Sequence, residues 1–366
     1  MKIAIIGTRG IPARYGGFET CAEKIAEYLA NKGHKVLVSC RRYLYPDKPN
    51  IHPRIKLIYP ISIRGKISDT FSHTFFSVLF TLSWSPDVIL MFNAANSPIA
   101  LFAKFFGKKV AINVDGLEWK RKKWGFMGKI YFKFASSFST LIADSIIVDS
   151  IEIGRYYRSR FNKSSIFIPY GGEIFYSKNP EILSGFGLKP KNYFFTGSRL
   201  EPENNQDLMV QEYQQIDTEI PLVIAGDIHS GSNYVKKLKS MASEKVRFIG
   251  TVYDKNAYME LQANSIAYIH GNEVGGTNPA LLSAMGCGSI ILALDIPFNR
   301  EVLGDCGIYY TKKIGSLSSA IKEILNKPAF FSSLGERARE RVRKLYNWEE
   351  VGKKYEDLFC KLKNEK

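Results

Sequence analysis

Four apolar residues in a row, Ile3-Ala4-Ile5-Ile6, are followed by a loop of small, basic and turn residues and then by a change of period. A short run that is apolar at every position suits a strand buried on both faces, as in a parallel sheet. The loop contains Gly7, Arg9, Gly10, Pro12, Arg14, Gly16 and Gly17. Beyond it, Phe18, Cys21, Ala22, Ile25, Ala26 and Leu29 fall on one helical face, with Glu19, Thr20, Glu23, Lys24 and Glu27 opposite. Gly33 stands where such a helix would stop. Strand, glycine loop and helix N-terminus together favour anions, because backbone N–H groups and the helix dipole point the same way. Gly16-Gly17 has no side chains, so a ligand could touch its backbone. A plain tight turn would carry the same glycines, and Gly7-Thr8-Arg9-Gly10 does not fit the dinucleotide fingerprint G-x-G-x-x-G.

The same strand-then-helix alternation continues along the chain. Apolar runs recur at Val36–Cys40, Ile55–Tyr59, Val88–Phe92, Val110–Val114, Ile146–Val148 and Ile166–Ile168. A second series reads Tyr193–Gly197, Leu222–Ala225, Val246–Ile249, Ile266–Ile269, Ile290–Leu294 and Gly307–Tyr310. Helical stretches lie between most of them, which is the pattern of doubly wound α/β sheets. A chain of 366 residues fits two such domains better than one. Pro169-Tyr170-Gly171-Gly172 reads as the linker and hinge between them.

Charge divides at the same place. Up to residue 168 there are 26 Lys+Arg against 11 Asp+Glu; from 169 onward there are 25 against 24. The basic first half implies an acidic partner such as phosphates or an anionic membrane. Nucleic acid is disfavoured, since no helix-turn-helix, zinc finger or RNP-like pattern is present. The five cysteines are odd in number and scattered, which points to a reducing compartment and away from structural zinc. Residue 3 already opens a strand, so no secretory signal is expected. The apolar stretch from Thr74 to Phe92 is broken by Pro86-Asp87 and is too short for a transmembrane helix.

Four segments are candidates for chemistry. Asp115 and Glu118 stand just past a strand end, where open α/β sheets place their ligands. A carboxylate there could orient a sugar hydroxyl or act as a base; equally, Asp115 could cap the next turn. Lys120-Arg121-Lys122-Lys123-Trp124, with Phe126, Met127, Lys129, Ile130, Tyr131, Phe132, Lys133 and Phe134 behind it, interleaves bases and aromatics. That composition suits an anionic membrane surface, or the phosphate of a lipid-linked acceptor; it also suits a solvated face over a core. Arg199, just past the Tyr193–Gly197 strand, could meet a diphosphate with its planar fork, or pair with a surface acid. In Gly275-Gly276-Thr277-Asn278-Pro279, Asn278 reads as an N-cap and Pro279 as the first helical residue. The amides near Gly276 and Thr277 would suit a phosphate; plain capping is the alternative.

The string GTRGIPARYGGFET closely resembles the N-terminal signature of a branch of the family-four retaining glycosyltransferases, a branch that includes rhamnosyltransferases of capsule and surface polysaccharide. VIAGD, RFIGTV and the late YNWEEVGKKYEDLF also resemble that family, so the likeness covers almost the whole chain. It implies a GT-B fold, two Rossmann-like domains facing across a cleft that holds a nucleotide diphosphate. The expected division is 1–169 as acceptor domain, 170–345 as donor domain, and 346–366 as a helix returning to the first domain. The implied reaction is retaining transfer from a nucleotide-sugar to a lipid-linked saccharide, without a metal or other cofactor. The absence of any D-x-D motif is compatible with that. The implied location is cytoplasmic, peripheral on the anionic inner face of the membrane.

Carried over residue by residue, Gly16 and Gly17 match the family's N-terminal glycine loop and Arg199 matches the arginine of its Arg/Lys diphosphate pair. Asn204 stands where the lysine is expected. Gly275 and Ser283 occupy the positions of two glutamates separated by seven residues. The first is also glycine in the capsule branch; the second usually remains and holds the ribose. Ser283 cannot accept two hydroxyl bonds as a carboxylate does, which fits a nucleotide held in another way, a deoxyribose donor such as dTDP-rhamnose, or a weakened activity. Asp115 falls roughly where much of the wider family has a histidine. Two other classes stay open: a sugar-nucleotide epimerase or hydrolase, and a weakly active binding subunit of an assembly complex.

Overall fold

A computed structural model describes residues 1–14, 16–65, 68–121, 124–229 and 231–365. The chain divides into two units, Met1–Tyr170 with Trp348–Lys366, and Gly171–Asn347.

The first unit runs β1 (Lys2–Ile6), α1 (Gly17–Asn31), β2 (Lys35–Ser39), β3 (Ile55–Ile58), α2 (Ser68–Trp84), β4 (Val88–Phe92), α3 (Ser97–Phe105), β5 (Lys109–Asn113), α4 (Phe126–Ile142), β6 (Ser145–Val148), α5 (Ile151–Phe161) and β7 (Ile166–Phe167). Its strands form one parallel sheet in the order β3-β2-β1-β4-β5-β6-β7. In register, Ile3 faces Val36 on one side and Val88 on the other. Ile3, Ala4, Ile5 and Ile6 have no solvent exposure, and β4 is buried throughout, as runs covered on both faces should be. Local chemistry sets the helix ends. Ser150 caps α5 by accepting the Glu152 N–H, and Asn162, in the left-handed region, closes it. After α1, Gly33 takes a φ of +90°.

The second unit runs β8 (Phe194–Gly197), α6 (Gln206–Gln214), β9 (Leu222–Ala225), α7 (Asn233–Ser240), β10 (Val246–Gly250), α8 (Lys255–Ala263), β11 (Tyr268–His270), α9 (Pro279–Gly286), β12 (Ile291–Leu294), α10 (Pro297–Leu303), β13 (Ile308–Tyr310), α11 (Ser316–Asn326) and α12 (Pro328–Leu345). Its parallel sheet has the order β10-β9-β8-β11-β12-β13. Phe194, Val210, Leu222, Ile224, Ile269, Leu292 and Ile321 form the middle of its core.

The last helix, α13 (Trp348–Asn364), belongs to the first unit and packs on α1. Gly352 lies against the Tyr28 ring, where any Cβ would collide. Glu356 accepts from the Tyr28 hydroxyl at 3.1 Å and meets His34 Nε2 at 2.7 Å, and the Tyr355 hydroxyl accepts from Asn113 Nδ2 at 3.0 Å. Among the described residues, no helix is long and apolar enough to cross a membrane.

Both sheets reverse their strand order once. The reversal lies between β1 and β4 in the first unit and between β8 and β11 in the second. In open parallel sheets, the loops leaving the carboxyl ends of the two strands at such a point diverge and leave a crevice for ligands.

Candidate donor and acceptor sites

In the second unit the loops after β8 and β11 are tied together beside that reversal. Asn205 Nδ2 donates to the Gly271 carbonyl at 2.7 Å, and the Glu273 N–H donates to the Glu203 carbonyl at 2.9 Å. The Tyr258 and Tyr268 hydroxyls both donate to the last carbonyl of β8, at Gly197, at 2.9 Å. Arg199 leaves this frame two residues later. Its backbone carbonyl is gripped by Asn204 Nδ2 at 2.7 Å and Gln206 Nε2 at 2.9 Å. Its guanidinium is largely exposed and lies 3.7 Å from Glu201, a weak partner in solvent.

The loop after β11 carries Gly275, Gly276, Thr277 and Asn278. Gly275 has a φ of +146°, which L side chains rarely adopt. Asn278 is the N-cap of α9: its Oδ1 accepts the Ala280 N–H at 2.9 Å and the Leu281 N–H at 3.4 Å, and Pro279 opens the helix. The first turn of α9 holds no acidic residue. Gly275, Gly276, Asn278 and Glu273, which is ion-paired with Lys312, line a depression completed by Phe298 and Asn299 from the first turn of α10, and Asn299 Nδ2 reaches the Asn272 carbonyl at 3.3 Å.

Two expected donor contacts are turned inward. Asn204 is buried and acts on the Arg199 backbone; it does not present its amide to the crevice in place of a lysine. The Ser283 hydroxyl donates to Gln262 Oε1 at 2.6 Å, so its proton is engaged with α8. Gln206, which no spacing or motif singles out, is fully buried and also holds the Ser198 hydroxyl at 2.8 Å.

The first unit shows a different arrangement at the glycine loop. Gly16 takes a φ of +105° and α1 begins at Gly17. Glu19, expected on the polar face, is buried against that loop. Its Oε1 accepts the Arg9 N–H at 2.9 Å, and its carboxylate sits so close to Gly16 that a Cβ there would collide with it. Burial raises the Glu19 pKa above the usual carboxylate value, opposed by the N–H groups of Arg9 and of Glu19 itself. Glu23 reaches the same loop, accepting the Ala13 N–H at 3.2 Å. The positive end of α1 therefore already holds an anionic group of its own, in place of an open anion seat at Gly16 and Gly17. Arg14 stands over the Tyr45 ring at 5.0 Å and 4.0 Å from Asp47.

Asp115 lies two residues past β5 with a φ of +63°, and its N–H donates to Asn113 Oδ1 at 3.3 Å. A non-glycine residue in that region is strained, and strained positions at strand ends concentrate at functional sites. The following turn is not capped by a side chain. Glu118 is buried: it is ion-paired with Arg121 and accepts from Trp124 Nε1 at 3.0 Å. Trp124 packs on Phe132 at 4.8 Å. Arg121 and Trp124 thus face the protein, which corrects their assignment to a basic, aromatic surface. The cause is the buried Glu118 carboxylate, which draws both donors inward. Lys120 is exposed, and Lys122 and Lys123 lie outside the described residues.

Residues 161–341 match the family model described as glycosyl transferases group 1. Residues 1–48 and 85–173 match a domain family of unknown function, DUF1972. An uncharacterized glycosyltransferase of Methanocaldococcus jannaschii is 25% identical over 283 residues, which span 72% of this chain and 71% of that relative. Among solved structures, the fold is similar to sucrose-phosphate synthase of Thermosynechococcus elongatus, with TM-score 0.85, 18% identity, and 99% of this chain and 98% of that one covered. It is also similar to HepE of Anabaena, solved with UDP, with TM-score 0.77, 15% identity, and 99% and 100% covered.

Proposed function

We propose, from the match of residues 161–341 to the model described as glycosyl transferases group 1, that this chain is a retaining glycosyltransferase whose nucleotide-sugar donor is held by the second unit. The observation that carries the reading is the strand-order reversal between β8 and β11, inside the matched segment. The loop leaving β8 carries the exposed Arg199, and the loop leaving β11 leads into a helix whose first turn is free of acid. Arg199 and the backbone of Gly276 and Thr277 stabilise the charge that grows on the diphosphate as the sugar–phosphate bond breaks. No metal is needed for that role. A preorganised donor of this kind contributes about 3–4 kcal/mol. Asn204 and Gln206 are positioning residues, because they fix the Arg199 backbone.

The acceptor hydroxyl attacks from the face that the diphosphate leaves, and a departing phosphate oxygen takes its proton. Asp115, at the carboxyl end of β5, orients sugar hydroxyls. Gly16 and Gly17 offer bare backbone to a neutral saccharide more readily than to a phosphate, since Glu19 is already there. Ser283, engaged with Gln262, leaves no carboxylate for a ribose diol, which favours a deoxyribose donor and hence dTDP-rhamnose. The acceptor is a lipid-linked saccharide of a surface polysaccharide, reached from the cytoplasmic face of the membrane. UDP-, GDP- and dTDP-sugars with a lipid-linked acceptor test this: release of dTDP coupled to acceptor glycosylation supports it. Product formed without acceptor would replace it with a hydrolase or epimerase.

A second reading draws on the inward-turned Asn204 and the engaged Ser283: a binding subunit that holds nucleotide with little turnover. Tight nucleotide binding with no transfer to any acceptor would favour it.

A further inference from the structure

The helix α4 is apolar on two faces. Phe132, Ala135 and Ser139 point into the unit, while Phe126, Ile130 and Phe134, spaced four apart, form an exposed stripe on the opposite side. Phe126 and Met127 are 78% and 75% exposed. The neighbouring α3 ends in the same way, with Phe105 86% exposed and Phe106 beside it. Aromatic contacts join the three helices into one surface. Phe75 on α2 meets Phe102 on α3 at 5.3 Å, and Phe71 on α2 meets Tyr131 on α4 at 5.3 Å. Tyr131 continues to Phe134 at 6.5 Å. Apolar surface of this extent is uncommon on a protein that faces only water.

The charges on this surface have one sign. The only charged residues of α4 are Lys129 and Lys133, both exposed. The only one of α3 is Lys104, paired with Asp144 at 2.7 Å. The single acid of α2, Asp69, is buried against Arg41 at 2.7 Å. Exposed phenyl rings set among lysines match the layered chemistry of an anionic bilayer surface, with apolar groups below the headgroups and cations among them. A protein interface core is instead depleted in lysine.

We propose that the outward face of α2, α3 and α4 is a docking surface for an anionic lipid bilayer, on which the protein lies without crossing it. Arg121 and Trp124 turn inward and are not part of it. The inference stands independently of the transferase reading, because vesicle binding requires neither donor nor turnover.

The test is co-sedimentation of the full chain with vesicles of phosphatidylcholine alone and of phosphatidylcholine mixed with phosphatidylglycerol. The protein is expected to pellet with the anionic vesicles and to stay in the supernatant with the neutral ones. The triple variant Phe105→Ser/Phe126→Ser/Met127→Ser should lose that binding, while its thermal melt and its affinity for nucleotide diphosphate stay unchanged. Lys129→Glu/Lys133→Glu should weaken it by about tenfold or more. Equal pelleting of the triple variant, or no pelleting of the unaltered chain, would overturn the proposal. So would a concentration-dependent dimer, seen by sedimentation velocity, that the triple substitution dissolves while lipid binding is absent throughout.

Discussion

Two helices in this protein start from glycine loops beside the point where their sheet reverses: α1 after β1, and α9 after β11. Both loops carry a glycine at positive φ, Gly16 and Gly275. They differ in what occupies the positive end of the helix. At α1 a buried glutamate, Glu19, is held there by the Arg9 amide. At α9 the cap is the neutral side chain of Asn278 and the first turn is free of acid. The same backbone device therefore carries a carboxylate of its own in one unit and a neutral cap in the other. A glycine loop before a helix shows that a phosphate could fit; the charge already present decides whether one is wanted.

The largest effect expected from that contrast lies in the second unit. Arg199→Ala should lower kcat/KM for the donor by about 10²–10³-fold, with thermal stability little changed, because the side chain is exposed and weakly paired. Unchanged donor kinetics would remove Arg199 from the site.

Next in size is a pH effect that treats the units alike. His73 on α2 and His270 on β11 are buried, and burial lowers their pKa values to about 4 and about 3, with Arg41 adding to the shift of His73. The unfolded chain takes up these protons first as pH falls below the ordinary histidine value of about 6.5. Each histidine then reduces stability by roughly 2 kcal/mol between pH 6.5 and about pH 5. Urea melts at the two pH values check this. The same loss in a His270→Phe variant as in the unaltered chain would show that His270 contributes nothing to it.

Smaller again is the cap itself. Asn278→Ala removes an acceptor from two amides of α9 and should cost about 1 kcal/mol of stability, read as a lower denaturation midpoint. Asn278→Asp should keep the cap but place an acid on α9 like the one on α1, and so weaken nucleotide binding. Tighter binding in that variant would break the comparison.

The smallest effect concerns Glu19. Its folded pKa is raised, so the native state holds its proton more tightly than the unfolded chain. Its contribution to stability is therefore greatest below the ordinary glutamate value of about 4.5 and declines as pH rises through the raised folded value. Glu19→Gln keeps an acceptor for the Arg9 N–H and removes that decline. The variant should gain on the unaltered chain as pH rises from 4 toward neutrality, a difference visible in paired thermal melts. A gap that does not change with pH would mean the buried carboxylate is not the cause.

Much of the fold was legible in the sequence because its strands are covered on both faces. Runs such as Ile3–Ile6 and Val88–Phe92 can be little else, and the thirteen strands among the described residues follow the apolar runs within a residue or two. The cap at Asn278-Pro279 was legible for the same local reason. Glu19 was not, because helical spacing put it with Thr20 and Glu23, and only the fold-back of residues 9–16 buries it. The inward turn of Arg121 and Trp124 depends on Glu118 lying in the core, which no spacing rule shows. Ser283 and Asn204 found partners on α8 and on the Arg199 backbone through tertiary packing alone. The outer faces of α3 and α4 illustrate the converse: apolar residues read the same whether a neighbour covers them or not.

The central claim is that the anion grip belongs to the α9 end and not to the α1 end. Calorimetric titration of dTDP and UDP into Arg199→Ala and Glu19→Gln tests it most directly. Arg199→Ala should weaken the better nucleotide at least about tenfold, while Glu19→Gln should leave its affinity within about twofold. Unimpaired binding in Arg199→Ala together with a large change in Glu19→Gln would put the nucleotide at the first glycine loop and contradict the account.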